Sequence, residues 1–174
     1  NKIRVATFNT SLNRNKSDDL IHDLSVPGNK QAQFIAQIIQ QVNPDIILLN
    51  EFDYDEAEQA ISFLKKNYLS KSFNGSKPIQ FPYHFIEQSN TGVDSGLDLD
   101  NDNRVGGPGD AYGYGMFPGQ YGMVVLSKFP IIKNQVRTFQ KFLWKDMPGA
   151  NLPKKSDSEN YYSNEELEIF RLSS

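Results

Sequence analysis

Two polar residues stand where apolar stretches run out: Asn9 in "VATFNTS" and Glu51 in "IILLNEFD". A carboxylate that directly follows four aliphatics must find a partner, because an unpaired buried charge is costly. A divalent metal is one such partner, and a neighbouring Arg or Lys in a structural ion pair is the other. As a hard oxygen ligand, Glu51 suits Mg²⁺ or Mn²⁺ rather than a soft metal. A third group lies in "DLDNDNRVGGPGD", residues 98–110. Asp98, Asp100 and Asp102 fall on positions 1, 3 and 5 of an EF-hand-type calcium loop, with Val105 at its apolar position 8. Asn103 stands where that loop prefers Gly, and Gly109 where it needs a bidentate Glu. The open readings are Ca²⁺ held in a loop of another geometry, to which Asp110 adds a carboxylate, or a loop that is solvated or faces the substrate side.

Other chemistries find less support. With no cysteine, disulfides, thiolate metal sites and cysteine nucleophiles are excluded. His22 sits in a polar loop segment and His84 in an expected strand; neither belongs to a catalytic motif, and they read as a surface and a half-buried histidine. The run "AYGYGMFPGQYG" lacks the strand–GxxxxGK–helix context of a phosphate-binding loop. Its aromatics either wall a cleft or pack the loop. The pairs Asp53/Asp55 and Glu165/Glu166 read as charges favoured at helix starts by the helix dipole. Net charge is −3 and no Lys/Arg run stands out, which disfavours sequence-blind nucleic-acid binding without excluding an enzyme that grips one phosphate through a metal. No apolar run approaches the roughly 20 residues that span a bilayer.

The elements that must position these residues follow from pattern. Ile3–Thr10 reads as a strand, and the polar stretch after it as a loop with one short helical turn. Lys30–Val42 places Phe34, Ile35, Ile38, Ile39 and Val42 on one helical stripe, stopped by Asn43-Pro44. Asp45–Phe52 reads as a strand buried on both faces. "YDEAEQAISFLKKNYL" repeats the helical pattern, with Ala57, Ala60, Ile61, Leu64 and Tyr68 on one side. Strand, helix, strand, helix is an α/β opening. From 70 to 121, glycine, proline, Asp/Asn and aromatics take over, with one strand expected at Tyr83–Gln88. Further strands are expected at Gly122–Ile131 and Val136–Trp144. "MPGANLPKKSDSENYYS" reads as loop, and Ser163 opens a capping box with Glu166 ahead of "LEIFRL".

"RVATFNTSLNR", "NPDIILLNEFDYD" and "PGQYGMVVLSKFPI" resemble, in order and spacing, the opening motifs of the endonuclease/exonuclease/phosphatase (DNase I-like) superfamily. Its members include DNase I-like nucleases, inositol-polyphosphate phosphatases and sphingomyelinases. The resemblance covers residues 4–131, and the glycine-aromatic middle is most similar to large secreted bacterial members. It implies an α/β (α+β) fold: a four-layer sandwich of two mixed β-sheets with outer helices. It implies in-line attack of water on phosphorus assisted by a metal. Carried over by position, Glu51 resembles the Mg²⁺ ligand and Asn9 the amide that supports the metal site and the scissile phosphate. Gln120 and Tyr121 resemble residues that face the substrate.

The family's later motifs, a catalytic His, an Asp-x-Asn pair and a terminal Asp-His, have no counterpart here. The chain is therefore expected to be the first half to two-thirds of one such domain, residues 1–174, with 70–121 a long insertion. Its partner would be the remaining C-terminal half, which carries the general base and other ligands. A first residue of Asn rather than Met fits removal of a leader, a tag or a neighbouring segment. Secretion or a periplasmic location is the matching expectation. The expected activity is hydrolysis of a phosphomonoester or phosphodiester; the alternatives are a calcium-stabilised secreted binding module on the same fold, or a non-specific nuclease. Slight acidity favours a small phosphoester over long nucleic acid.

Overall fold

In the computed structural model, which describes residues 2–171, β-branched and aliphatic runs pair into a four-stranded mixed sheet. Strand β1 (Val5–Leu12) lies parallel to β2 (Ile46–Phe52), which pairs antiparallel with β4 (Met123–Ser127). Strand β3 (Tyr83–Ile86) closes the order β1-β2-β4-β3 by pairing antiparallel with β4. Between β1 and β2 run α1 (Asp19–Ser25) and α2 (Lys30–Val42). The second has the bounds the periodicity predicts. Asn29 caps its start by accepting the Ala32 N–H at 3.0 Å, and left-handed Asn43 ends it ahead of Pro44. After β2, α3 (Gln59–Phe63) continues into a π-helical turn, Leu64–Leu69. It begins later than the pattern suggests, and Ala57 is exposed.

One apolar cluster joins Leu24 of α1, Ile39 of α2 and Ile61 of α3 to Ile47 and Leu49 of β2 and Leu126 of β4. All of these helices therefore cover one face of the sheet. The opposite face is open: Val5 is 68% and Met123 43% exposed, and Ile46, Leu48, Val125 and Phe85 are half-buried. This corrects the expectation that β2 is buried on both faces. Its run of four aliphatics alternates in the structure, with Ile47 and Leu49 inside and Ile46 and Leu48 on the open side. The helical stripe of α2 is likewise split. Ala32, Ile35, Ala36 and Ile39 are buried, while Phe34, Ile38 and Val42 form a separate exposed row.

The chain divides into two compact units, Asn1–Gln88 with Gly119–Gln135, and Ser89–Pro118 with Val136–Ser174. The stretch 70–121 is thus shared between them. In the second unit, Val136–Trp144 is no strand: only Leu143 makes an isolated bridge, to Arg171, before a 3₁₀ turn at Trp144–Asp146. Its apolar residues do not alternate, and two of them, Phe139 and Phe142, meet edge-on within the loop. The expected loop that follows instead holds a small hairpin, β5 (Lys154–Ser156) with β6 (Glu159–Asn160). The capping box forms as read: Ser163 and Glu166 exchange side-chain and backbone bonds at the start of α4 (Asn164–Leu167). Leu172, expected in that last helical run, lies outside the described residues. Among the described residues no helix is long and apolar enough to cross a membrane.

Candidate functional site

Parallel pairing brings the C-terminal ends of β1 and β2 side by side, with Asn9 opposite Asn50 in the register. Beyond that pair the register shifts before Leu12 meets Phe52, so Thr10 and Ser11 of β1 stand against Glu51 alone, a bulge. At this bulge Glu51 takes a left-handed backbone (φ 54°), as does Ser11 (φ 49°). Strict alternation would turn a residue between Asn50 and buried Phe52 towards the core; the left-handed turn leaves Glu51 part-exposed instead. There Asn9 Nδ2 donates to Glu51 Oε1 at 2.7 Å, and Asn9 Oδ1 accepts the Ser11 N–H at 3.0 Å. Gln31, in the first turn of α2, donates from its side-chain amide to the carbonyls of Thr10 and Ser11. Each left-handed non-glycine residue costs about 1–3 kcal/mol and persists only where its surroundings over-determine it.

A second layer of bonds ties three segments together behind this edge. The carboxylate of Asp53 is buried and accepts the backbone N–H of Arg14 at 2.6 Å and of Tyr121 at 3.0 Å. The Arg14 carbonyl accepts the side-chain amide of Gln120 at 2.6 Å. Tyr121 is itself left-handed (φ 55°), and the Phe52 N–H donates to the Gly122 carbonyl at 3.0 Å. A Cβ at Gly122 would come within 2.7 Å of the Phe52 carbonyl oxygen, so only glycine lets the two backbones approach this closely. Burial outweighs the two N–H donors and pushes the Asp53 carboxyl up to about 6.

This geometry corrects two readings. Asp53 is not a helix-start charge; it is the anchor of two loops, whereas Asp55 does cap α3 by accepting the N–H groups of Gln59 and Ala60. Gln120, expected to face a substrate, is fully buried and has no surface from which to do so. Its neighbour Tyr121 is part-exposed.

A match to the endonuclease/exonuclease/phosphatase family spans residues 6–170. The chain belongs to that family. Its members are typically hydrolases of phosphoesters, and the mixed α/β sheet described above fits their fold. Comparison with curated proteins and with solved structures finds no match.

A phosphoesterase of this family calls for hard oxygen donors near the phosphate, and the edge can be tested for them. Beside Glu51, the side-chain oxygen of Asn50 is buried and has no hydrogen-bond partner among the described residues. An orphaned amide oxygen costs about 1–3 kcal/mol, which a cation would relieve. The carboxylate of Glu51 and the orphaned oxygen of Asn50 are hard donors of the type that Mg²⁺ or Mn²⁺ takes.

In the second unit, Asp98, Asp100 and Asp102 each offer a carboxylate oxygen within 4.8 Å of the others. The same carboxylates already accept backbone N–H groups: Asp98 from Asp102 and Asn103, Asp100 from Asp102, and Asp102 from Arg104. Buried Asp110 closes the loop by accepting from Leu99 at 2.7 Å, Gly106 at 2.9 Å and Asp100 at 3.4 Å. His22 is exposed, and His84 Nε2 pairs with Glu58 at 2.8 Å.

Sequence reasoning missed Asp53, Gln31 and Asn50. For Asp53 a signal was present: an acid two residues past Glu51, followed by Tyr54 and then by its helix-capping neighbour, with no reason of its own to be a second cap.

Proposed function

We propose that the protein is a metal-dependent phosphoesterase in which Glu51, with Asn50 beside it, holds Mg²⁺ or Mn²⁺. The observation that carries this reading is the 2.7 Å bond from Asn9 to Glu51 at the joined ends of β1 and β2, with Glu51 turned out of the core by a left-handed backbone. When bound, the ion would neutralise charge on the phosphoryl oxygens. Asn9 fixes the orientation of the Glu51 carboxylate, and its exposed side is free of any role in the core. The open face of the sheet, lined by Val5, Leu48, Val125 and Met123, suits the second sheet of the family's sandwich. Net charge of −3 and no basic run favour a small phosphomonoester or phosphodiester over long nucleic acid.

The test is hydrolysis of bis-p-nitrophenyl phosphate and p-nitrophenyl phosphate by full-length protein with Mg²⁺ or Mn²⁺. Chelation should abolish turnover, and Glu51→Ala should lower it by orders of magnitude. Unchanged turnover in Glu51→Ala would remove Glu51 from the site.

A further inference from the structure

Ser11, Glu51 and Tyr121 adopt left-handed backbones at one end of the same sheet, and something must hold them there. For Ser11 the holding groups are Asn9 and Gln31. For the turn at Tyr121 and the loop at Arg14 they form a closed ring. It runs from the Asp53 carboxylate to the Arg14 backbone, on to the Gln120 side chain, and through the chain to Tyr121, whose N–H returns to Asp53. Asp53 is 6% exposed and Gln120 not at all, so neither touches a ligand. The two N–H groups arrive at different oxygens, Arg14 at Oδ2 and Tyr121 at Oδ1, and a carboxamide would place an NH₂ donor at one of those two positions. The Asp53 N–H also reaches the Leu12 carbonyl at 3.5 Å, and the Tyr54 N–H donates to the Gly119 carbonyl at 2.8 Å, so the ring is joined to the strand end that carries Glu51.

We propose that Asp53 is a positioning residue: its carboxylate locks the loops at Arg14 and Tyr121 onto the end of β2 and thereby fixes the backbone that aims Glu51. The inference rests on the proposed function for its metal and kinetic readouts, and amide exchange stands apart from both. The experiment compares full-length wild type, Asp53→Asn and Gln120→Met, the last cutting the ring at its other link with little change in volume. The core variant Ile39→Val serves as a control for lost stability. Mn²⁺ affinity is measured by electron paramagnetic resonance, kcat and KM with bis-p-nitrophenyl phosphate, and amide exchange at Arg14 and Tyr121. In both ring variants the Mn²⁺ Kd should rise about 10- to 100-fold, as for lost partners of metal ligands. In both, kcat should fall with KM within about threefold, and the two amides should exchange faster. Ile39→Val should match wild type in Kd. Should Asp53→Asn fail to fold, Gln120→Met carries the test. Wild-type Kd and kcat in a folded ring variant would overturn the proposal, as would a wild type that binds no Mn²⁺. If Mn²⁺ binds and the ring variants weaken it while no phosphoester is hydrolysed, the positioning role stands and the reaction assignment falls.

Discussion

Asn9 and Glu51 are joined by a 2.7 Å hydrogen bond across the ends of two parallel strands, 42 residues apart in sequence. The bond occupies one carboxylate oxygen and sets the direction of the other. Replacing Asn9 by Ala should therefore leave Glu51 charged but misdirected. The expected result is a fall in kcat of about 10- to 100-fold, the range found when groups that orient metal ligands are lost. Glu51→Gln, which removes the charge itself, should cost more than Asn9→Ala. Steady-state kinetics over a range of Mg²⁺ concentrations checks the order. Equal losses in the two variants would mean that Asn9 acts on the substrate rather than through Glu51.

The stability of unit-one groups should respond to pH in opposite senses. Asp53 is raised by burial from 3.8 to about 6, so the folded state holds its proton more tightly than the unfolded state does. That contribution is fully present below pH 3.8 and is lost as pH rises through about 6. Asp45 behaves the other way. The Arg4 backbone N–H and the Lys128 ammonium hold its carboxyl below the usual value, so its contribution is present above pH 3.8 and fades as pH falls further. Urea unfolding of chelator-treated protein between pH 4 and 7 should show the decline due to Asp53. Asp53→Asn should flatten it.

Much of this was legible in the chain, for reasons that can be named. The bounds of α2 follow from Asn29 at one end and Asn43-Pro44 at the other, both local signals. The capping box at Ser163 is local too. What escaped depended on neighbours distant in sequence. "IILL" does not say whether a sheet is covered on one face or two; the packing of α1, α2 and α3 on a single side decides it. Asp53 looked like one of two acids before a helix, and its role appears only when Arg14 and Tyr121, 39 and 68 residues away, arrive at its oxygens. Gln120 sits beside Tyr121 in sequence, yet one is buried and the other part-exposed. The hairpin β5–β6 has exposed side chains throughout, so no hydrophobic period announced it.

The loop at 98–110 should hold its shape through Asp110 whether or not an ion is present. Three backbone N–H groups converge on that buried carboxylate. Asp110→Ala leaves them without an acceptor, at a cost of about 1–3 kcal/mol for each one that stays buried. Amide exchange at Leu99 and Gly106 should accelerate in this variant in chelator and in Ca²⁺ alike. Protection restored by Ca²⁺ would instead make the ion the main support. The carboxylates at 98, 100 and 102 are tested separately by calorimetry: binding of Ca²⁺ there predicts a heat in wild type that Asp100→Ala abolishes, and equal heats remove the ion from the loop.

Leu48 and Leu49 are chain neighbours on opposite faces of β2, which makes them a direct probe of the proposed second sheet. Leu49 is fully buried against the helices, so Leu49→Ala should destabilise the protein by about 2–5 kcal/mol. Leu48 lies on the open face, in register with Thr7 of β1 and Val125 of β4. If a second sheet packs over that face, Leu48→Ala should cost a similar 2–5 kcal/mol, because the cavity would then be enclosed on both sides. Were the face to stay in water, the loss would be within about 1 kcal/mol, since an unenclosed site leaves no cavity and forfeits only partial burial. Denaturant unfolding of the two variants in full-length protein separates these cases. A small loss at Leu48 beside a large one at Leu49 would leave the sheet single-layered and remove the sandwich.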